Sequence, residues 1–143
     1  MSVKQISVFL ENKPGSLCHM TKVLADNGID MRAFSLAEAS DFGIARIIVD
    51  DVYATTTVLR DAGFIHSVST VLAVALSDTP GGLHQALAAL EAARVNIEYM
   101  YAFLGGEPGR AYMIFRVTDT EAAEKALVAR GLKSLSLDEI EQG

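Results

Sequence analysis

The sequence predicts an α+β fold made of two tandem copies of one small unit, each with the element order β-α-β-β-α-β. Two observations support this prediction. The chain repeats itself at an offset of 66 residues, and each copy alternates strand-like and helix-like stretches. We place the two domains at residues 1–70 and 71–143. A chain of 143 residues is long enough for one ordinary domain or two very small ones.

The repeat is clearest between residues 6–17 and residues 72–83. Identical residues there align without a gap: Val8 with Val74, Leu10 with Leu76, Pro14 with Pro80, Gly15 with Gly81 and Leu17 with Leu83. The same offset pairs Leu24 with Leu90, and a two-residue slip pairs Leu59 with Leu127 and Gly63 with Gly131. Agreement along nearly the whole chain indicates a duplication.

Each copy predicts four strands and two helices. In copy one the strands fall at 3–10, 29–37, 44–49 and 64–70, with a hairpin turn at 40–43. In copy two they fall at 71–77, 95–104, 111–117 and 132–137, with a turn at 105–109. The second helices fall at 53–62 and 120–130, and Gly28 ends the first helix of copy one. This order predicts ferredoxin-like units, with antiparallel sheets and helices on one face.

Composition limits the function classes. The formal net charge is −6, and both halves are acidic without a basic run. This argues against nucleic acid and anionic membrane surfaces as partners, because both need clustered Lys or Arg. The N-terminal stretch does not resemble a signal peptide, and no apolar run approaches 18 residues. The single cysteine, Cys18, fits a reducing compartment, so we expect a cytoplasmic protein with this thiol packed inside a helix.

We expect no catalysis, no metal and no cofactor. The sequence contains no HxxxH or CxxC pair, and its three histidines stand apart at 19, 66 and 84. Asp50 and Asp51 read as a solvated strand end, and no nucleotide-binding glycine loop is present. An acylphosphatase-like enzyme would need an arginine in the first turn, where Lys13 is the only cation. An RNA-recognition module would need exposed aromatic residues on the third strand, and residues 45–49 contain none.

The best candidate site is the first turn, residues 12–16, with its copy at residues 78–82. Each turn leads from a strand into a helix, whose first N–H groups lack partners and suit a carboxylate. Glycine lets a ligand approach the backbone, and Asn12 offers both a donor and an acceptor. The same Pro-Gly pattern also suits an ordinary strand–helix turn, so a shared backbone requirement explains it equally well.

The start of the second strand is the other candidate. Asp30 and Asn96 occupy equivalent positions there, where they can hold a ligand or simply cap a strand end. In copy two, Tyr99, Tyr101 and Phe103 alternate along the strand. Such a row is usual for one face of a sheet, and it can also line a pocket for an apolar or aromatic ligand side chain.

These residues carry a family resemblance. The pattern Asn12-Lys13-Pro14-Gly15-x-Leu17, followed after one helix by Gly28-Ile29-Asp30-Met31, resembles the ACT domain in both halves. The first turn is most similar to that of the serine-sensing regulatory domain of phosphoglycerate dehydrogenase. The resemblance implies a non-catalytic regulatory protein of the stand-alone tandem type, which senses a free amino acid and has an enzyme or regulator as a further partner.

The resemblance also implies a site between two ACT units, with an Asn in the turn and an Asn at the start of the second strand. These fall on Asn12 and Asn96, while Asp78 and Asp30 replace them in the other copies, so two equal sites are in doubt. The ligand-binding residues predicted in this way are Asn12, Lys13, Pro14, Gly15, Ser16, Leu17, Asp30, Met31, Asp78, Thr79, Pro80, Gly81, Gly82, Leu83, Asn96, Ile97 and Tyr99.

Two alternatives remain open at this point. The chain can be an amino-acid sensor, or a pure interaction and dimerisation module without a ligand. Residues 64–76 read as one continuous strand with no linker between the copies. Either this strand continues from one sheet to the next, or second strands pair between chains. We favour the second arrangement, a homodimer.

Overall fold

A computed structural model of the chain describes residues 2–104 and 108–142. The first copy contains, in order, β1 (Val3–Glu11), α1 (Ser16–Asp26), β2 (Met31–Ala39), β3 (Phe42–Val49), α2 (Val52–Asp61) and the beginning of β4 (Ile65–Ser77). The second copy continues from the end of β4 with α3 (Gly82–Ala92), β5 (Ile97–Ala102), β6 (Arg110–Val117), α4 (Thr120–Ala129), β7 (Ser134–Leu135) and α5 (Leu137–Gln142).

The chain divides into two compact units. Residues 4–69 form the first unit, and residues 70–143 together with residues 1–3 form the second. The strand β4 runs without a break through the boundary between residues 69 and 70, which confirms the predicted continuous strand at 64–76. The segment 105–107 of the predicted second hairpin turn lies outside the described residues.

The strand order in the first unit is β2-β3-β1-β4. Both β1 and β2 pair antiparallel with β3, and Phe42 of β3 lies opposite both Glu11 and Ala39. The C-terminal ends of β1 and β2 therefore lie at the same end of the sheet, on either side of the start of β3. In the second unit, β6 lies between β4 and β5, and β7 pairs with β4. The predicted ferredoxin-like order is confirmed in both units.

Each unit has its own hydrophobic core, built from repeat-equivalent residues. Val8, Leu10, Leu24 and Leu59 are buried in the first core. Their counterparts Val74, Leu76, Leu90 and Leu127 are buried in the second. Each such side chain contributes roughly 1.5–3 kcal/mol when it leaves water, so the repeat in the sequence is chiefly a repeat of core positions.

The two first helices end at equivalent positions with different residues. Gly28 has a φ of 67°, in the left-handed region that glycine adopts without cost. Arg94 takes the same position after α3 with a φ of 57°. A side chain at such a φ strains the backbone, so α3 ends in an unfavourable conformation.

The end of the chain differs from the prediction. The last strand was expected at 132–137, but β7 covers only Ser134–Leu135 and α5 follows it. Ser136 and Glu139 explain the change because they form a capping box. The Glu139 N–H donates to Ser136 Oγ at 3.3 Å, and the Ser136 N–H donates to Glu139 Oε1 at 3.2 Å. The hydrogen bond from Lys133, followed by the one from the Ser136 backbone, lowers the pKa of Glu139 below its usual value.

We expect Arg94→Gly to raise the free energy of unfolding by about 1 kcal/mol, because a non-glycine residue in the left-handed region costs roughly 1–2 kcal/mol. Urea denaturation of the full chain measures this change. Arg94→Ala is the matched control, since it removes the side chain but keeps the Cβ atom that strains the backbone. Equal stabilisation by both variants would show that backbone strain at residue 94 is not the cause.

Candidate functional site

The first turn is tied to the neighbouring hairpin. The Asn12 N–H donates to the Asp41 carbonyl at 3.0 Å, and Asn12 Nδ2 donates to the Ser40 carbonyl at 3.5 Å. The Lys13 N–H donates back to the Glu11 carbonyl at 3.0 Å. These bonds hold the turn beside the hairpin that joins β2 to β3, at the edge where β1 and β2 end.

Glycine is required by the backbone in both turns. Gly15 and Gly81 precede α1 and α3 with φ values of 91° and 89°, which a residue with a Cβ atom adopts only under strain. A shared backbone requirement therefore explains why Pro-Gly occurs in both copies. The glycines alone carry no argument for a ligand.

The starts of the four long helices differ in their caps. Asp51 and Asp119 cap α2 and α4, each accepting a backbone N–H bond of 3.0 Å. No side chain in the described part of the chain caps α1 or α3. Because the first N–H groups of a helix carry partial positive charge, the uncapped start of α1 can accept a carboxylate.

A cavity of about 430 Å³ lies beside the first turn, within the first unit. Its volume is in the range of small-molecule sites. The turn, α1, the end of β2 and the start of β3 supply its walls. The lining residues are Leu10, Glu11, Asn12, Lys13, Ser16, Leu17, Leu36, Ala37, Glu38 and Gly43.

A second cavity, of about 540 Å³, lies on the other side of the same turn. Glu11, Lys13 and Ser16 line both cavities, whereas Pro14 and Gly15 line only the second. Its far wall includes the ring of His19, whose centroid lies 5.4 Å from that of Phe64. The turn thus separates two open spaces, of which the first reaches the end of β2.

Three charged residues line the first cavity. Lys13 Nζ lies 2.9 Å from Glu11 Oε2, and both side chains are mostly exposed. The hydrogen bond and the charge of Lys13 lower the pKa of Glu11, which keeps this carboxyl ionised. The exposed carboxylate of Glu38 makes no hydrogen bond or ion pair within the described residues. One cationic and two anionic groups therefore surround the space.

The predicted residues at the start of the second strand lie elsewhere. Met31 pairs with Val49, at the end of β3 and far along the sheet from the first turn. The Asp30 N–H donates to Asp50 Oδ1 at 3.3 Å, and the Asp30 carboxylate pairs with Arg32 at 3.1 Å. The first unit therefore does not bring Asp30 and Met31 together with its own turn.

The sequence-based prediction missed six residues of the first cavity: Leu10 and Glu11, which directly precede the predicted turn, and Leu36, Ala37, Glu38 and Gly43. The signal for them was present in the predicted topology. In the β4-β1-β3-β2 order, the first and second strands both run antiparallel to the third. The end of the second strand, rather than its start, must therefore lie beside the first turn.

The second turn has the same backbone course but less room. The Asp78 N–H donates to the Gly109 carbonyl at 3.0 Å, and the Ser77 and Thr79 hydroxyls lie 2.8 Å apart. A Cβ atom at Gly82 would collide with the Ser77 carbonyl oxygen. Ser16 holds the equivalent position in the first unit and carries a side chain that lines both cavities. The two turns are therefore not equivalent.

Asn96 and Ile97 line a separate space in the second unit. This cavity of about 430 Å³ lies at the end of α3, and Glu91 and Arg94 also line it. The Asn96 carbonyl accepts a hydrogen bond of 3.1 Å from the Thr118 N–H. The second-strand residues thus lie at the opposite end of α3 from the turn that contains Pro80 and from Leu83 at the start of the helix, as in the first unit.

The aromatic side chains along β5 and directly after it pack against other aromatic rings. Tyr99 and Tyr101 stack with centroids 6.4 Å apart, and Phe103 meets Tyr112 edge-on at 6.3 Å. Tyr101, Phe103 and Tyr112 are buried. This arrangement supports the reading of the row as one packed face of a sheet.

A comparison with protein families matches the ACT domain pair over residues 1–142. The chain belongs to this ACT domain pair family. The resemblance seen in the turn residues is thereby confirmed for both copies. A comparison with curated proteins gives no match.

Solved structures show the same fold. Protein BT0572 from Bacteroides thetaiotaomicron is 35% identical with a TM-score of 0.87, covering 94% of this chain and 92% of that chain. The regulatory subunit of aspartate kinase from Thermus thermophilus is 18% identical with a TM-score of 0.63, covering 89% and 91%. The corresponding subunit from Thermus flavus is 19% identical with a TM-score of 0.57, covering 90% and 92%.

Among the residues of this ACT pair that the structure describes, no cluster of three or more His, Cys, Asp or Glu residues could hold a metal ion. None of the helices described has the length and apolar character needed to cross a membrane. Cys18 is exposed on α1, so the expectation of a packed thiol was wrong. The reason is its helix position, since Met20 and Leu24 form the buried stripe of α1 and Cys18 lies off it.

We expect Gly82→Ala to lower the free energy of unfolding by about 1–3 kcal/mol, because the added methyl group displaces the Ser77 carbonyl or the start of α3. Thermal or urea denaturation measures the loss. Ser16→Ala is the matched control at the equivalent position, and its effect should stay within about 0.5 kcal/mol. Equal effects of the two variants would contradict the difference between the turns.

Proposed function

We propose that this ACT domain pair is a non-catalytic regulatory protein that binds a free L-amino acid beside the first turn. Each half, residues 1–70 and 71–143, forms one ACT domain in this proposal. The cavity at Asn12–Leu17 is the observation that carries it. Its volume suits a small molecule, and charges of both signs line it.

The chemistry of the lining fits a zwitterion. Lys13 and the uncapped start of α1 offer positive charge to an α-carboxylate. Glu38, whose carboxylate has no partner among the residues that the structure describes, offers negative charge to an α-ammonium group. Asn12 also lines the cavity and carries both a donor and an acceptor. An amino acid satisfies both signs of charge at once, whereas a simple anion or cation satisfies only one.

The relatives support a regulatory context without naming the ligand. Two solved structures of the same fold are regulatory subunits of aspartate kinase. By analogy with them, we propose that this chain regulates a separate partner, which is either an enzyme or another regulatory protein. Together with the single cysteine, this makes the cytoplasm the expected location.

The competing function is an interaction module without a ligand. One observation favours it: β2 is an edge strand of the first unit, and Leu36 on it is 52% exposed. An edge strand with an exposed apolar side chain can pair with another chain. The two functions differ in whether a small molecule stabilises the fold.

A thermal-shift screen of the twenty L-amino acids against the full chain tests the proposal. One of them, at tenfold excess over its Kd, should stabilise the fold by about 1.4 kcal/mol, or roughly 3–6 °C in Tm. Asn12→Ala should weaken this response while leaving the unliganded Tm nearly unchanged. Asn27→Ala, at the other end of α1, serves as the control and should keep the full response. If none of the twenty shifts the Tm, amino-acid binding is excluded and the interaction module is favoured instead.

We also propose that the chain forms a homodimer, with β2 or β5 pairing between chains. Both are edge strands within their own units, so their outer backbone groups can accept a second chain. Sedimentation equilibrium at micromolar concentration should give a mass of about 31 kDa, twice the 15.3 kDa of one chain. A stable 15.3 kDa species that still binds an amino acid would eliminate the dimer.

A further inference from the structure

We propose that the first-unit cavity takes one neutral L-amino acid with an aliphatic side chain, held by Lys13 at its carboxylate and by Glu38 at its ammonium. The second turn takes none, so each chain binds one equivalent. This inference rests on the proposed function and adds the ligand class, the two charged contacts and the number of sites.

Leucine side chains form the apolar part of the cavity wall. Leu10 is 6% exposed at the end of β1, and Leu17 lies in the first turn of α1. Leu36 is 52% exposed on β2, opposite Ala45 of the core, so it faces the helix side of the sheet. A ligand side chain that covers these groups gains roughly fourfold in affinity per buried methylene.

The charge of the lining disfavours a second carboxylate on the ligand. Glu11 and Lys13 form an ion pair at 2.9 Å between mostly exposed side chains, so Lys13 stays accessible to a ligand carboxylate. The lining holds two carboxylates and only this one ammonium group, so it has no cation left for a second ligand carboxylate. An acidic side chain would be repelled, and a neutral one needs no further partner.

Lys13 and Glu38 come from different elements, the turn and the end of β2. This separation fixes the orientation of a zwitterion. The carboxylate lies toward Lys13 and the start of α1, and the ammonium lies toward β2. The leucine side chains then face the remaining part of the ligand.

The second unit lacks these features at its turn. Thr79 replaces Lys13, and Asp78 replaces Asn12, so a carboxylate meets a negative charge there. Gly82 replaces Ser16 and lies against the Ser77 carbonyl oxygen, whose partial negative charge adds to the repulsion. The conserved backbone course remains, but the groups that recognise a carboxylate do not.

Calorimetric titration of the full chain with three related probes tests the assignment. L-Leucine carries both charged groups, L-leucinamide lacks the carboxylate and 4-methylpentanoate lacks the ammonium. L-Leucine should bind at one equivalent per chain. Each analogue, and L-aspartate, should bind at least about tenfold more weakly, the usual effect of losing a hydrogen bond to a charged group.

Charge-neutral variants distinguish direct contact from a structural effect. Lys13→Gln should weaken L-leucine by about tenfold or more but should not weaken L-leucinamide, because that cationic probe has no carboxylate to lose. Glu38→Gln should weaken L-leucine similarly but should not weaken the anionic 4-methylpentanoate, which has no ammonium group to lose. Lys125→Gln and Glu121→Gln on α4, a solvent-exposed pair, are the matched controls and should change nothing. Thr79→Ala should also bind L-leucine as the unmodified chain does.

The possible results separate this inference from the proposed function. Two equivalents of L-leucine, or tighter binding of L-aspartate or L-serine, would overturn the inference and leave an amino-acid sensor. Equal weakening of all three probes by Lys13→Gln or Glu38→Gln would overturn the charge assignment. Failure of every amino acid to bind would overturn the proposed function, and this inference with it.

Discussion

The left-handed backbone at Gly15, and its copy at Gly81, is the constraint on which the candidate site depends. It turns the chain from the end of β1 directly into α1. Glycine has no side chain to cap α1, and within the turn the Ser16 N–H donates to the Lys13 carbonyl at 3.3 Å. The turn also lies where β1 and β2 end together, and the cavity forms between them. One conformational requirement thus places the partial positive charge at the N-terminus of α1 beside the ends of β1 and β2.

Duplication preserved this backbone and allowed the side chains to diverge. Core positions such as Leu24 and Leu90 remain identical because both units need the same packing. At the exposed turn position occupied by Lys13 and, in the copy, by Thr79, packing imposes no such demand. Ser16 and its counterpart Gly82 differ for another reason, because Gly82 lies against the Ser77 carbonyl and leaves no room for a side chain. The repeated motif therefore indicates a repeated fold, and the residues that differ between the two copies indicate where their functions differ.

Much of the fold could be predicted from the sequence, because periodic apolar residues and glycine stops are local signals. The continuous strand and the ferredoxin-like order were predicted correctly for this reason. The final strand was predicted too long, although Ser136 and Glu139 already spelled a capping box for α5. The exposure of Cys18 could not be read from its apolar neighbours in sequence, because helix faces depend on spacing.

The candidate site was predictable only in part. The turn residues were found because they repeat, but Leu36 and Glu38 do not stand out in the sequence. Their proximity to the turn follows from strand direction, which is a property of the whole sheet. The resemblance drew attention to Asp30 and Asn96 instead, which lie at the far ends of their units from the turns. A contact between distant strand ends needs the topology before the residues can be chosen.

In this ACT pair the ligand should contact the first turn and leave the second untouched. Amide hydrogen exchange with and without saturating L-leucine measures both turns in one experiment. We expect slower exchange in a peptide that covers residues 12–18 and no change in a peptide that covers residues 78–84. Equal protection of both peptides, or of neither, would contradict it.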